Sequence, residues 1–210
     1  DNDLPVTDHC PGFGSAAKYI ATTLMEISAD SAVYPLKSVT VVEIMGRNAG
    51  WLTAASSLSR ALGGSYGPQL IYLPEAAFDV DRFLDDVRGA LEKEDSVVIA
   101  VSEGVRLADG SYVAESMQSG QVDAFGHKYL AGVGKYLERL IADRIGCKVR
   151  SIELSVLQRA ASHLQSGTDL AEAIRTGETA VQFLIAGKTR VMVALRRISN
   201  EPYRIGYEAV

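Results

Sequence analysis

Two rhythms alternate along the chain. Short, nearly continuous apolar runs rich in β-branched residues are separated by longer stretches in which apolar residues return every three or four positions. Residues 38–45 (SVTVVEIM) and 96–101 (SVVIAV) are of the first kind and read as strands covered on both faces. Residues 70–73, 148–157 and 190–195 read as further strands, and 203–210 as the start of another. The helical rhythm appears in Phe13, Ala17, Ile20, Leu24 and Ile27, and again in Leu52, Ala55, Leu58 and Leu62, where Gly63-Gly64 supplies a stop. It returns over about 80–93 (Val80, Phe83, Leu84, Val87, Leu91), over about 129–145 (Leu130, Val133, Leu137, Ile141, ended by Gly146) and over 169–186. Asp109-Gly110 predicts a tight turn within a small hairpin over 105–116.

Strands and helices alternating at this spacing predict an α/β fold, a parallel sheet with helices on both faces. At 210 residues and 47% hydrophobic side chains the chain can bury a real core, as one domain or one domain plus a fragment. A net charge of −5 with no Lys/Arg cluster argues against nucleic acid as a partner. No apolar run approaches the ~20 residues that span a bilayer, so no membrane partner is expected. Cys10 and Cys147, far apart and without ligand spacing, fit a reducing, cytoplasmic setting. The chain lacks an initiator Met and is expected to be part of a longer protein.

In open α/β sheets ligands lie beyond the carboxyl ends of the strands. Gly46-Arg47 follows the first long run, Ser102-Glu103-Gly104 follows SVVIAV, and Gln158-Arg159 follows the run from Lys148. Asp1-Asn2-Asp3 places two carboxylates at i and i+2, on one side of an extended segment, which suits a base beside a metal ligand. Two guanidinium groups, paired carboxylates and a separate Glu suit a phosphorylated polyol: Arg binds phosphate bidentately and a carboxylate accepts from hydroxyls. Taken singly each is ordinary, since an Asp-rich loop usually caps a helix and a lone Arg after a strand is often a surface residue. His9 and His163 have no metal-ligand spacing and are assigned nothing, and His127 reads as a residue opening a helix. Trp51 and Tyr72 read as core or semi-buried aromatics, and Gly12-x-Gly14 as a turn before a helix.

The segments DNDLPVTD, PGFGSAAKY, VVEIMGRNAGW, LIYLPE, VVIAVSEG, FGHKYLAGVG and VLQRA, in this order and spacing, resemble the phosphofructokinases over nearly the whole chain. The resemblance implies a Rossmann-like, three-layer α/β/α fold, with 1–156 binding fructose 6-phosphate and 157–210 returning to the phosphoryl-donor region. It implies phosphoryl transfer to the 1-hydroxyl, with Asp1 as general base and Asp3 helping to hold Mg²⁺. Met45, Gly46 and Arg47 match the sugar-phosphate loop, with Arg47 also near the transferring group. Glu103 matches the carboxylate on sugar hydroxyls and Arg159 an arginine of the same pocket. Arg150 matches an arginine that reaches a neighbouring subunit, which implies a homo-oligomer, dimer or tetramer. LPVTDHCPGFGSAAKY and FGHKYLAGVG are more similar to the diphosphate-using branch than to the ATP-using one.

Three departures from that pattern stand out. Ser155-Val156 replaces a Gly-His or Gly-Tyr pair, and Ser38 replaces an arginine, with Lys37 beside it as a substitute. No Gly-Gly-Asp loop for the donor phosphates is present, so the isolated chain is expected to have little or no transferase activity. Two other readings stand beside the enzyme: a non-catalytic sugar-phosphate-binding module, and a kinase of a related phosphosugar such as sedoheptulose 7-phosphate.

Overall fold

A computed structural model describes residues 4–61, 66–113 and 132–210. Asp1, Asp3, Leu62, Gly63, Gly64, His127 and Leu130, all singled out in the sequence, lie outside the described residues. Two compact units are present, Asp1–Lys18 with Ala161–Val210, and Tyr19–Ala160. No described helix is long and apolar enough to cross a membrane.

The larger unit carries β1 (Ser38–Ile44), β2 (Leu70–Tyr72), β3 (Ser96–Ser102) and β4 (Lys148–Glu153), all parallel in the order β2-β3-β1-β4. β1 and β3 are buried over six consecutive residues each, as their apolar runs predict. One sheet face carries Val39, Val41, Val97, Ile99 and Val101. Against it lie Phe83, Leu84, Val87 and Leu91 of α4 (Val80–Lys93) and Val133, Leu137 and Ile141 of α5 (Val133–Arg144). Asp79 starts α4 by accepting from the Arg82 amide at 2.8 Å, a side-chain cap. On the other face Arg150 of β4 reaches Asp30 and Ser31 of α1 (Phe13–Ala32). Helices on both faces of a parallel sheet make the predicted α/β architecture.

Several expectations are corrected. The helix after Arg47 is two short pieces, α2 (Trp51–Ala55) and α3 (Leu58–Ala61); Leu58 is 49% exposed and Trp51 73%, so neither belongs to the core. The strand from Lys148 ends at Glu153, because Ser155 takes a positive φ of 42° and the chain turns into α6 (Leu157–Ala160). The turn at Asp109-Gly110 forms, with a single antiparallel bridge between Arg106 and Tyr112. α5 is described only from Val133.

In the smaller unit, α7 (Gly167–Ile185) is capped by Ser166. The last strand begins later than predicted: β5 (Val193–Asn200) pairs antiparallel with β6 (Tyr203–Ala209) in a separate hairpin. A connection of two residues cannot make the crossover that a parallel neighbour needs.

Candidate functional site

Parallel pairing puts the carboxyl ends of β1, β3 and β4 at one edge, and the segments leaving them meet there. After β1 the chain makes Met45-Gly46-Arg47. After β3 the Glu103 amide donates to the Ile44 carbonyl at 2.9 Å, and the Glu103 side chain then accepts from the Gly46 amide at 3.2 Å. After β4 the Leu154 amide donates to the Glu43 carbonyl at 3.1 Å, the chain turns at Ser155, and Gln158 on α6 accepts from the Met45 amide at 3.1 Å. The Met45-Gly46 backbone is thus held by one side chain from each neighbouring connection. Ser102 adds a hydroxyl bond to the Gly46 carbonyl.

Glycine is required at two positions here. At Gly46 (φ 150°) a Cβ would fall 2.7 Å from the Ala49 carbonyl oxygen, and at Gly104 it would collide with the Arg47 backbone. The loops can approach this closely only without side chains.

The electrostatics follow from this crowding. Burial pushes the Glu103 carboxyl above its ordinary range, while the Gly46 amide, Arg47 and Arg159 oppose the rise. The charges of Arg47 and Arg159 thus both reach Glu103. Arg47 Nε is buried with no partner, and so is Nε2 of the buried Gln158. Unpaired buried donors beside an acceptor carboxylate suit a ligand that brings phosphate oxygens and hydroxyls together.

Five of the residues singled out in the sequence, Met45, Gly46, Arg47, Glu103 and Arg159, come together at this rim. Arg150 does not. It lies level with Thr40 in the middle of β4, its Nε donating to Thr40 Oγ1 at 3.1 Å and its guanidinium 3.3 Å from Asp30. Lys37 is engaged elsewhere, on the Leu91 carbonyl and 3.9 Å from Asp95. Among the described residues no His/Cys/Asp/Glu cluster could hold a metal ion.

Two features escaped sequence reasoning. Glu43, inside the apolar run of β1, is 5% exposed and accepts from the Gly134 amide at 2.7 Å and the Gly132 amide at 3.3 Å. Burial pushes it up to about 7, with Glu153 and Glu103 adding to the rise against those two amides. A charged residue in a doubly covered strand was the available signal. The other feature is His9, whose Nε2 lies 2.6 Å from Glu172 Oε2; spacing could not reveal this because 163 residues separate them.

The profile of the family described as Phosphofructokinase matches residues 1–184. The chain belongs to the phosphofructokinase family. It is 44% identical to a pyrophosphate--fructose 6-phosphate 1-phosphotransferase of Halomonas elongata over 211 residues, covering 100% of this chain and 49% of that protein. A protein of the same name from Xanthomonas campestris is 44% identical over 206 residues, covering 97% of this chain and 49% of its own length. The crystal structure of a pyrophosphate-dependent phosphofructokinase from Marinobacter aquaeolei superposes with a TM-score of 0.78 at 34% identity, covering 100% of this chain and 48% of that one. The chain thus spans about half the length of the relatives it matches, and its three-layer α/β architecture is that of the family.

Proposed function

We propose that this chain carries the sugar-phosphate-binding part of a diphosphate-dependent phosphotransferase, which moves a phosphoryl group onto the 1-hydroxyl of fructose 6-phosphate. The observation that carries the reading is the Met45-Gly46 backbone fixed from both neighbouring loops, by Gln158 and by Glu103, with the charges of Arg47 and Arg159 reaching Glu103. Arg47 and Arg159 bind phosphate oxygens, the Met45-Gly46 segment shapes the wall, and Glu103 accepts from sugar hydroxyls. Diphosphate rather than ATP is the donor because the relatives at 44% identity bear that activity in their names.

Asp1 is the proposed general base. It takes the proton of the 1-hydroxyl as that oxygen bonds to phosphorus and the bond to the leaving phosphate breaks, giving fructose 1,6-bisphosphate and phosphate. Mg²⁺ is the proposed metal, with Asp3 as its only assigned protein ligand; when bound it neutralises charge on the diphosphate oxygens. Arg150 is proposed to serve a neighbouring subunit of a dimer or tetramer in the cytoplasm. The 1–156 and 157–210 division is retained as a functional proposal.

Thermal unfolding of the chain with fructose 6-phosphate tests the pocket. A ligand that binds only the folded state must raise Tm in proportion to ln(1 + [L]/Kd). A folded sample with no shift at millimolar sugar phosphate sinks the reading. Turnover with diphosphate but not ATP, in a protein that carries this chain together with a donor-phosphate loop, tests the donor.

A further inference from the structure

Within the smaller unit, α7 turns its polar side inward. Its buried residues are Asp169, Glu172 and Thr179. Asp169 accepts from the amide and from the hydroxyl of Ser15 at the start of α1, each at 2.6 Å. Glu172 meets His9 Nε2 at 2.6 Å and accepts from the Tyr203 hydroxyl on β6. A helix face that buries carboxylates needs donors for them, and Ser15 and Tyr203 supply these.

The apolar residues of α7 point the other way. Leu170, Ile174, Val181, Leu184 and Ile185 are between 46% and 81% exposed. At about 100° per residue they share one arc of roughly 100°, opposite the arc of Asp169, Glu172 and Thr179. Gly177 falls inside the stripe, where a Cβ would meet nothing within 4 Å among the described residues. A mid-helix glycine weakens the helix, and here no described residue uses the space it leaves. Apolar residues exposed singly need no explanation, but five on one arc over about four turns form a patch of the kind that another surface covers.

Three observations name the occupant. The family profile reaches residue 184, so it takes in α7 nearly to its end at Ile185. The match to the Halomonas elongata protein runs over 211 residues, all of this chain but 49% of that one, so the other half of that protein flanks the matched segment. Both ends of this chain belong to the smaller unit, so a flanking half is tethered to the unit that carries the stripe. A tether raises the local concentration of what it carries to about millimolar, which favours it over a free partner.

We propose that the outer face of α7 seats that flanking half: an apolar surface of the remainder of the phosphofructokinase polypeptide packs on Leu170, Ile174, Val181, Leu184 and Ile185, and approaches most closely at Gly177. The inference rests on membership of the family, not on the choice of donor or on the sugar-phosphate pocket.

The test uses Val181→Cys in a background of Cys10→Ser and Cys147→Ser, and measures maleimide labelling in two proteins. One is this chain alone; the other is a hybrid in which this chain replaces the 211 residues it matches in the full-length Halomonas elongata protein. Labelling is expected to be fast in the chain alone and at least about tenfold slower in the hybrid. Equal rates in a folded hybrid overturn the proposal. So does slow labelling in the chain alone: relief on dilution would mean that a second copy covers the face, and no relief that this chain covers it itself. Gly177→Leu gives an independent reading. It should hold or raise Tm in the chain alone, because leucine favours the helix, and lower Tm in the hybrid by about 5 °C or more. An equal response in both also overturns the proposal. Where the hybrid fails to fold, the cysteine is placed in the intact Halomonas elongata protein at the residue matched to Val181; slow labelling there supports the seat and free labelling rejects it.

Discussion

Glu103 and Gly46 are joined by a bond from the Gly46 amide to the Glu103 carboxylate at 3.2 Å, so the acceptor assigned to the sugar also holds the loop assigned to its phosphate. The two tasks can be separated. Glu103→Gln keeps an oxygen for the Gly46 amide but loses the charge that Arg47 and Arg159 act on. A charged acceptor exceeds a neutral one by roughly 1–1.5 kcal/mol, so the Kd for fructose 6-phosphate should rise about tenfold. Tm should stay within about 2 °C of the parent. Glu103→Ala should lose both binding and Tm; titration calorimetry and thermal unfolding decide, and equal affinity in Glu103→Gln counts against the sugar contact.

Gln158 is the other anchor, accepting from the Met45 amide at 3.1 Å while its own Nε2 is buried and unpartnered. Gln158→Leu has opposing effects: it strands a backbone amide, worth about 1–3 kcal/mol, and removes an orphaned donor. The net destabilisation should therefore sit near the low end, about 1 kcal/mol, in urea unfolding. Fructose 6-phosphate affinity should fall more than stability does, because the Met45-Gly46 segment loses its fixed geometry. A variant as tight as the parent would show that α6 does not set the pocket.

The sheet was legible because β1 and β3 are long apolar runs with no competing helical period, and the rim was legible because Arg47 and Glu103 directly follow them. The late boundaries were not. Leu154 looks like strand, and its amide still bonds the Glu43 carbonyl across the sheet, but nothing local says that Ser155 then reverses the backbone. Val193 to Ala209 reads as two strands, yet nothing local says that they pair with each other rather than extend the parallel sheet. Glu172, which pins His9, looked like an ordinary helical glutamate, because burial of one helix face by a distant loop leaves no local mark.

Ser155 carries a second consequence. Its φ of 42° lies in the left-handed region, which disfavours any residue with a Cβ, at the position where the family resemblance leads one to look for glycine. Ser155→Gly should relieve that strain. Glycine's greater unfolded-state freedom offsets part of the gain, leaving about 0.5–1 kcal/mol of added stability and a rise in Tm of roughly 2 °C. A fall in Tm would mean that the serine hydroxyl makes a contact worth more than the strain.

Glu43 makes stability depend on pH in a direction opposite to most carboxylates. Its folded-state pKa is about 7 against an ordinary 4.5, raised first by burial. The folded state thus holds a proton that the unfolded chain releases. This contribution is fully present below about pH 4.5, and is lost as pH rises through 7. A difference of this size corresponds to about 3 kcal/mol over the whole window. Glu43→Gln cannot ionise, so the variant should lack that decline, at the cost of a roughly constant offset because its amide group must face one of the Gly132 and Gly134 N–H groups. Urea unfolding of both proteins from pH 5 to 8 measures the difference. Parallel curves would mean that Glu43 stays charged throughout, with the amides at the start of α5 outweighing its burial.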